Sequence, residues 1–226
     1  MEDIIRKNVI TPAGIELTLE AEKKIEFKPE HRILSVGCGS GDIESYLSSK
    51  YGCRILGIDS DPEAINLAKK KSNSILEFRQ ESGEDIKEVS GSFDIAFSCG
   101  SLGYFLDNGV KEISRLLKNG GIAIVIEATY LENTIPEDLL ESIVQRNKFN
   151  VVNLVTMERI ISRFRLVHFS GTFSRIYFEP LWWRNYACEE GDSVCEKDTG
   201  RIYEIYKRHL GFGLFLFRKE PDDYII

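Results

Sequence analysis

Short apolar runs alternate with amphipathic stretches along the first half of the chain. The apolar runs predict buried strands at residues 32–36, 54–59, 75–79, 93–98 and 122–127. The stretches between them carry apolar residues at helical spacing and predict helices at residues 15–25, 43–50, 62–71 and 110–117. This alternation predicts an α/β fold, with a mostly parallel sheet covered by helices on both faces.

The regular alternation ends near residue 128. Further on, the pattern predicts helices at residues 135–145 and 152–162, a sixth strand at 164–169 and a last strand at 211–219. Between residues 170 and 206, many aromatic side chains lie among charged residues without a clear period. Since no repeat or linker interrupts the chain, we expect a single domain.

The strand predicted at residues 32–36 runs into the glycine-rich turn Gly37-Cys38-Gly39-Ser40-Gly41, and a helix follows at or just after its last glycine. Glycine at alternate positions allows a sharp turn and removes the Cβ atoms that would keep a ligand from the main chain. A dinucleotide fingerprint needs a glycine at the position of Asp42, and this carboxylate would repel a pyrophosphate. The turn therefore predicts a nucleotide-type cofactor other than NAD; the alternative is a plain strand-to-helix turn.

The sequence V-G-C-G-S-G-D at residues 36–42 resembles motif I of the class I S-adenosylmethionine-dependent methyltransferases. The turn Leu117-Lys118-Asn119-Gly120-Gly121 is similar to the L-K-P-G-G turn before the fifth strand of that family. The resemblance covers residues 30–127 and returns at the last strand. It implies a Rossmann-like, seven-stranded, mostly parallel sheet whose last strand is antiparallel. It also implies methyl transfer from S-adenosyl-L-methionine to a small-molecule acceptor, with S-adenosyl-L-homocysteine as product.

On this basis we expect one methyltransferase domain over residues 1–226 with four parts. Residues 1–29 form an N-terminal helical cap, whose helix either folds over the cofactor or only covers the sheet. Residues 30–127 form the cofactor-binding core. Residues 128–210 form an acceptor-side cap with the sixth strand, and residues 211–226 the last strand and tail.

Asp59 ends the second predicted strand, 22 residues after Gly37. A βαβ unit returns a carboxylate at about this interval to the ribose hydroxyls of a bound adenosine. Asp61 precedes Pro62 as an N-cap acid does, and the alternative is that Asp59 too only opens that helix.

The resemblance implies further cofactor contacts after the first, third and fourth strands. Ser35 replaces the acid that usually opens motif I and indirectly holds the methionine amine, and Ser82 replaces the acid that usually contacts adenine. The acids after Ser82 have an alternative as an exposed acidic turn. The predicted cofactor-binding residues are Ser35, Gly37, Cys38, Gly39, Gly41, Asp59, Ser60, Ser82, Gly83, Glu84 and Cys99.

Acceptor contacts are implied by two further segments. Residues 99–104 resemble the segment that follows the fourth strand in small-molecule methyltransferases, and residues 181–186 resemble a late W-W-x-x-Y element. The implied substrate-binding residues are Tyr104, Trp182, Trp183 and Tyr186, for which core packing is the alternative. A base is needed only if the acceptor binds protonated, and the candidates are then Tyr104, His168 and Tyr186, with Glu127 as a further one.

Composition limits the partners. A net charge of −7 disfavours a general nucleic-acid binder, and no apolar run approaches the roughly 18 residues that cross a bilayer. The start of the chain has mixed charge and no apolar core of a signal peptide, so we expect a cytoplasmic protein, either monomer or homodimer. Five cysteines without C-x-x-C and three scattered histidines predict neither a disulfide framework nor a metal site.

Two other functions stay open. Serine at both positions that usually carry an acid permits weaker cofactor binding, as in a non-catalytic methyltransferase-like subunit that binds a ligand or partner. A nicotinamide-dependent oxidoreductase is disfavoured by the missing third glycine of its fingerprint.

Overall fold

A computed structural model of the protein describes residues 14–102, 106–130, 164–172 and 210–220. The helices in these ranges are α1 (Gly14–Glu22), α2 (Asp42–Tyr51), α3 (Pro62–Ala68), which continues into a 3₁₀ turn (Lys69–Lys71), and α4 (Leu106–Leu116). The strands are β1 (Arg32–Val36), β2 (Arg54–Asp59), β3 (Leu76–Gln80), β4 (Phe93–Cys99), β5 (Leu117–Tyr130), β6 (Phe164–Thr172) and β7 (Leu210–Lys219). The helices predicted at residues 135–145 and 152–162 lie outside the described residues.

The seven strands form one sheet in the order β3-β2-β1-β4-β5-β7-β6. Strands β1 to β5 pair with one another in parallel, and β7 pairs antiparallel with both β5 and β6. The predicted seven-stranded, mostly parallel sheet with an antiparallel last strand is therefore confirmed. The chain order reverses between β1 and β4, and open α/β sheets bind ligands above the carboxyl ends of the strands at such a switch point.

Both faces of the sheet are covered, which explains why its central strands are continuous apolar runs. Ile33 of β1 packs in one core cluster with Leu47 of α2 and Ile65 of α3. Its neighbour Leu34 packs in a second cluster, with Ile113 of α4. Successive strand residues point to opposite faces, so helices α1 to α3 lie on one side and α4 on the other, as predicted.

Helix α4 and strand β5 extend furthest beyond their predicted bounds, and β6 runs to Thr172, past the predicted residue 169. Helix α4 begins at Leu106, ahead of the predicted residue 110, because residues 107–109 have low helix propensity and hide the pattern. Strand β5 begins at Leu117, since its pairing with β4 shifts register between Phe93 and Ile95 and the predicted turn forms an irregularity within the strand. Within the described ranges, no helix is long and apolar enough to span a bilayer.

Candidate functional site

The glycine turn lies at the switch point, between the end of β1 and the start of α2. Gly37, Gly39 and Gly41 have φ angles of 72°, 53° and 75°, in the left-handed region that favours glycine. The N–H groups of Gly37 and Cys38 both donate to the Ile58 carbonyl, at 2.8 and 3.0 Å. The turn is therefore fixed to the end of β2 by main-chain hydrogen bonds.

The three glycines meet different surroundings. A Cβ atom at Gly37 would lie 2.2 Å from the Cβ of Ser101, and one at Gly41 would lie 2.4 Å from the Phe78 ring. A Cβ atom at Gly39 would meet nothing within 4 Å. Gly37 and Gly41 are thus required by packing, whereas Gly39 faces open space that a ligand can fill.

Asp59 lies against this turn. Its Oδ2 accepts from the Gly39 N–H at 2.8 Å, and its Oδ1 accepts from the Asp61 N–H at 2.9 Å. A carboxylate has about four acceptor positions, so two remain for a ligand. Asp61 accepts from the Glu63 N–H at 2.8 Å as the N-cap of α3, which confirms its predicted role.

Asp42 opens helix α2 and is paired with a cation that the sequence did not reveal. Lys71 Nζ lies 3.3 Å from Asp42 Oδ2 and also donates to the Ser40 carbonyl at 2.6 Å. The Ser40 hydroxyl donates to the same carboxylate oxygen at 2.6 Å. Because Lys71 neutralises part of this charge, Asp42 repels a pyrophosphate less strongly than an unpaired carboxylate would.

Ser35 is paired with a residue that sequence reasoning missed. The Ser35 hydroxyl donates to Glu44 Oε1 at 2.6 Å, and Glu44 is 3% exposed. Burial raises the pKa of Glu44 to about 7, and the hydrogen bond from Ser35 opposes this rise. Glu44 precedes the buried Leu47 by three residues on one helix, so helical spacing could have placed it on the inward face.

Neither cysteine of the predicted cofactor set forms a disulfide. Burial, and next the charges of Glu44 and Asp59, raise the pKa of Cys38 far above its ordinary value. Cys38 is therefore a neutral thiol and not a nucleophile. Cys99 ends β4 on the other side of the switch point, where Ser101 donates to the Val36 carbonyl at 2.7 Å and joins the two strand ends.

The remaining predicted cofactor residues follow β2 and β3 at the same edge of the sheet. The Ser60 carbonyl accepts from Gln80 at 3.3 Å. The Ser82 hydroxyl accepts from the Glu84 N–H at 3.2 Å, and the Glu84 side chain is exposed and accepts from Asn108. The Ser82 hydroxyl therefore stabilises the turn that contains Gly83. The Glu84 side chain is exposed to solvent.

The predicted acceptor and catalytic residues Tyr104, Trp182, Trp183 and Tyr186 lie outside the described residues. His168 lies on β6, opposite Leu216 of β7, and only its main chain is described. Glu127 is 4% exposed on β5. Among the side chains that the structure describes, no group of three His, Cys, Asp or Glu could hold a metal ion.

A cavity of about 500 Å³ opens at the opposite end of the sheet. Its lining residues are Ser90, Gly91, Ser114, Arg115, Leu117, Lys118, Asn119 and Lys219. Arg115 there donates to the carbonyls of Ile86 and Glu88, and Lys219 donates to the Leu117 carbonyl at 3.0 Å. None of the sequence-predicted site residues lines this cavity, so the candidate site is the switch point.

Residues 34–125 match the family model described as a methyltransferase domain. A relative named demethylmenaquinone methyltransferase, from Chlorobaculum parvum, is 32% identical over 122 residues. This match covers 53% of the chain and 50% of the relative, so the chain spans about half the length of that protein.

Solved structures with the same fold cover more of the chain. The crystal structure of MccD protein matches with a TM-score of 0.71 and 20% identity, over 93% of this chain and 100% of that one. Phosphoethanolamine N-methyltransferase 2 of Haemonchus contortus, in complex with S-adenosyl-L-methionine, matches with a TM-score of 0.74 and 20% identity. That match covers 95% of this chain and 54% of the other. At 20% identity the two structures show the fold of this chain and do not show its reaction.

Proposed function

From the class I methyltransferase domain that this chain carries, we propose that the protein transfers the methyl group of S-adenosyl-L-methionine to a small-molecule acceptor. The main support for this proposal is the turn at the switch point, where Gly39 faces open space beside the Asp59 carboxylate. A nucleoside with adjacent ribose hydroxyls fits this arrangement, because a carboxylate with free acceptor positions can receive both hydroxyls.

The charges of the site favour a cationic ligand over a pyrophosphate. Asp42, Glu44 and Asp59 lie around the turn, with Lys71 as the cation recorded beside them. S-adenosyl-L-methionine carries an ammonium and a sulfonium and has no phosphate. We therefore propose that the site binds S-adenosyl-L-methionine and not NAD. Lys71 weakens the repulsion between Asp42 and a pyrophosphate, but the other two carboxyl groups still disfavour one.

When bound, the cofactor supplies an electrophilic methyl group on sulfur. The residues of the chain would hold its ribose at Asp59 and its adenine near Ser82 and Glu84, and would align the acceptor and exclude water. We assign acceptor contacts to Tyr104, Trp182, Trp183 and Tyr186, with aromatic faces suited to a cation. Where the acceptor binds protonated, Tyr104, His168, Tyr186 or Glu127 would accept its proton.

The names of similar proteins suggest a first acceptor panel. One relative is named as a C-methyltransferase of ubiquinone and menaquinone biosynthesis, and one solved structure as a phosphoethanolamine N-methyltransferase. We propose a small molecule of either kind, a quinol carbon or an amine nitrogen. We also propose that the protein acts in the cytoplasm, where thiols such as those of Cys38 and Cys53 stay reduced, and that it is a monomer or homodimer.

The proposal is tested by transfer of a labelled methyl group. The purified protein is incubated with methyl-labelled S-adenosyl-L-methionine and a panel of quinols and alkylamines, and binding of S-adenosyl-L-homocysteine is measured by calorimetry in parallel. We expect that S-adenosyl-L-homocysteine binds and that the labelled methyl group is transferred to one of the two acceptor classes. Binding without transfer to a wider acceptor panel would support a non-catalytic ligand-binding subunit, and absence of binding would contradict the proposal.

A further inference from the structure

The Glu44 carboxylate is the least satisfied charged group beside the turn. Its Oε1 accepts from Ser35, whereas its Oε2 is buried and has no hydrogen-bond partner among the described residues. A buried acceptor that lacks a partner costs about 1–3 kcal/mol, and more when it is charged. The folded state therefore bears the free-energy cost of burying Glu44 Oε2, and no hydrogen bond among the described residues offsets it.

The position of Glu44 ties this cost to the cofactor turn. Ser35, its partner, is the next-to-last residue of β1, two residues before the turn begins at Gly37. The negative charge of Glu44 raises the pKa of Cys38, which lies within the turn, so the carboxylate acts electrostatically on that segment. A ligand seated against the turn would experience the same charge.

The charge of Glu44 responds to its neighbours. Asp42, on the same helix, favours the neutral acid, and Lys71, after α3, favours the carboxylate. The Cys38 thiol, whose pKa is raised, adds no charge of its own. A cation that binds at the turn would favour the carboxylate further, because opposite charges a few ångströms apart stabilise the charged form.

We propose that Glu44 is the positioning residue that supplies the negative charge for the ammonium group of the cofactor, acting through the turn and in place of the acid that β1 lacks at Ser35. The inference rests on the proposed function. Glu44 lies in the first turn of α2 and carries this charge there. The Ser35 hydroxyl holds its carboxylate toward β1. Binding of a cationic cofactor then releases a proton from Glu44.

The test compares two probes by calorimetry. S-adenosyl-L-homocysteine carries the ammonium group, and 5′-methylthioadenosine lacks the amino-acid portion. For Glu44→Gln, which keeps the shape of the side chain, we expect affinity for the first probe to fall about tenfold at pH 8 and affinity for the second to stay unchanged. Glu22→Gln is the matched control, because Glu22 also has a buried oxygen without a partner but pairs with Lys50, and we expect it to change neither affinity.

Proton release supplies a measurement that needs no variant. Affinity of the wild-type protein for S-adenosyl-L-homocysteine should rise about tenfold from pH 6 to pH 8, and calorimetry in buffers of different ionisation enthalpy should record proton release near pH 7. Both effects should vanish in Glu44→Gln. The transposed double variant, Ser35→Asp with Glu44→Ser, should restore most of the lost affinity.

The outcomes separate this inference from the proposed function. Equal loss of both probes in Glu44→Gln would assign Glu44 a structural role and overturn the inference, as would unchanged affinity for both. Wild-type protein that binds neither probe would overturn the proposed function and the inference with it. Wild-type binding without proton release would overturn the inference alone.

Discussion

At the amino ends of the parallel strands, Asp94 accepts from the Arg32 N–H at 2.9 Å and from Lys118 at 2.6 Å, whereas at the carboxyl ends Glu44 is buried with one oxygen unpartnered. The same contrast holds for a second acid, since Glu88 pairs with Arg32 at 2.7 Å and with Arg79 at 2.8 Å. Asp94 and Glu88 are thus both paired within the fold. Glu44, which we propose serves a ligand, keeps one buried oxygen without a partner among the described residues.

The pKa values of the two ends follow this difference. Although burial acts to raise it, the pKa of Asp94 lies below its ordinary value because of hydrogen bonds from the Arg32 N–H and Lys118. The pKa of Glu44 lies well above its ordinary value because burial outweighs the hydrogen bond from Ser35. One carboxylate therefore stabilises the folded state as an anion, and the other opposes folding when it ionises.

The largest expected effect is the pH dependence that Glu44 imposes on stability. Because its pKa rises from 4.5 in the unfolded chain to about 7 in the folded protein, the folded state binds more protons between these values. The free energy of unfolding should therefore fall by about 3 kcal/mol as pH rises from about 4.5 to 7, and then level off. Urea unfolding of wild type and Glu44→Gln across this range measures the effect, and an equal slope in both proteins would contradict it.

The next effect concerns Asp59, which belongs to the carboxyl end yet holds the turn as well. Asp59→Ala should weaken S-adenosyl-L-homocysteine binding by about ten- to a hundredfold, since a charged acceptor facing hydroxyls contributes about 1.5–3 kcal/mol. It should also lower the unfolding free energy by about 1–3 kcal/mol, because the Gly39 and Asp61 N–H groups lose their acceptor. Asp61→Ala is the control: it removes only the cap of α3 and should leave affinity unchanged. Wild-type affinity in Asp59→Ala would remove this residue from the site.

At the amino end, Asp94→Ala should change stability alone. The loss of hydrogen bonds from the Arg32 N–H and Lys118 should lower the unfolding free energy by about 1–2 kcal/mol, with cofactor affinity unchanged. Denaturant unfolding and calorimetry on the same samples check both parts. A tenfold loss of affinity at unchanged stability would show that the two ends are not separate in function.

The smallest effect concerns the aromatic residues proposed for the acceptor side. Trp182→Leu and Trp183→Leu should each lower kcat/KM for the acceptor about threefold to tenfold while cofactor affinity stays the same, since a cation–π contact contributes about 0.5–2 kcal/mol. Steady-state kinetics and calorimetry separate the two quantities. If both fall together with a lower melting temperature, the tryptophans are core residues.

The sequence predicted the sheet because buried parallel strands are short apolar runs, and the bounds of β1 and β2 agree with the prediction in full. It also predicted the turn, because left-handed positions such as Gly39 favour glycine. The pairing of Lys71 with Asp42 joins residues 29 positions apart, and local pattern does not reveal such contacts. Glu44 was missed because an acid in the first turn of a helix is expected for the helix dipole, and this concealed its inward position.

The most direct measurement of the central claim, that the turn at the carboxyl ends binds a sulfonium nucleoside, is the shift in melting temperature caused by four ligands. At about a hundredfold excess over Kd, S-adenosyl-L-methionine and S-adenosyl-L-homocysteine should raise it by about 5–10 °C, and NAD and NADP should leave it unchanged. Gly39→Val should abolish the shift, because the valine side chain would fill the open space beside the turn. Stabilisation by NAD alone, or an undiminished shift in Gly39→Val, would contradict the account.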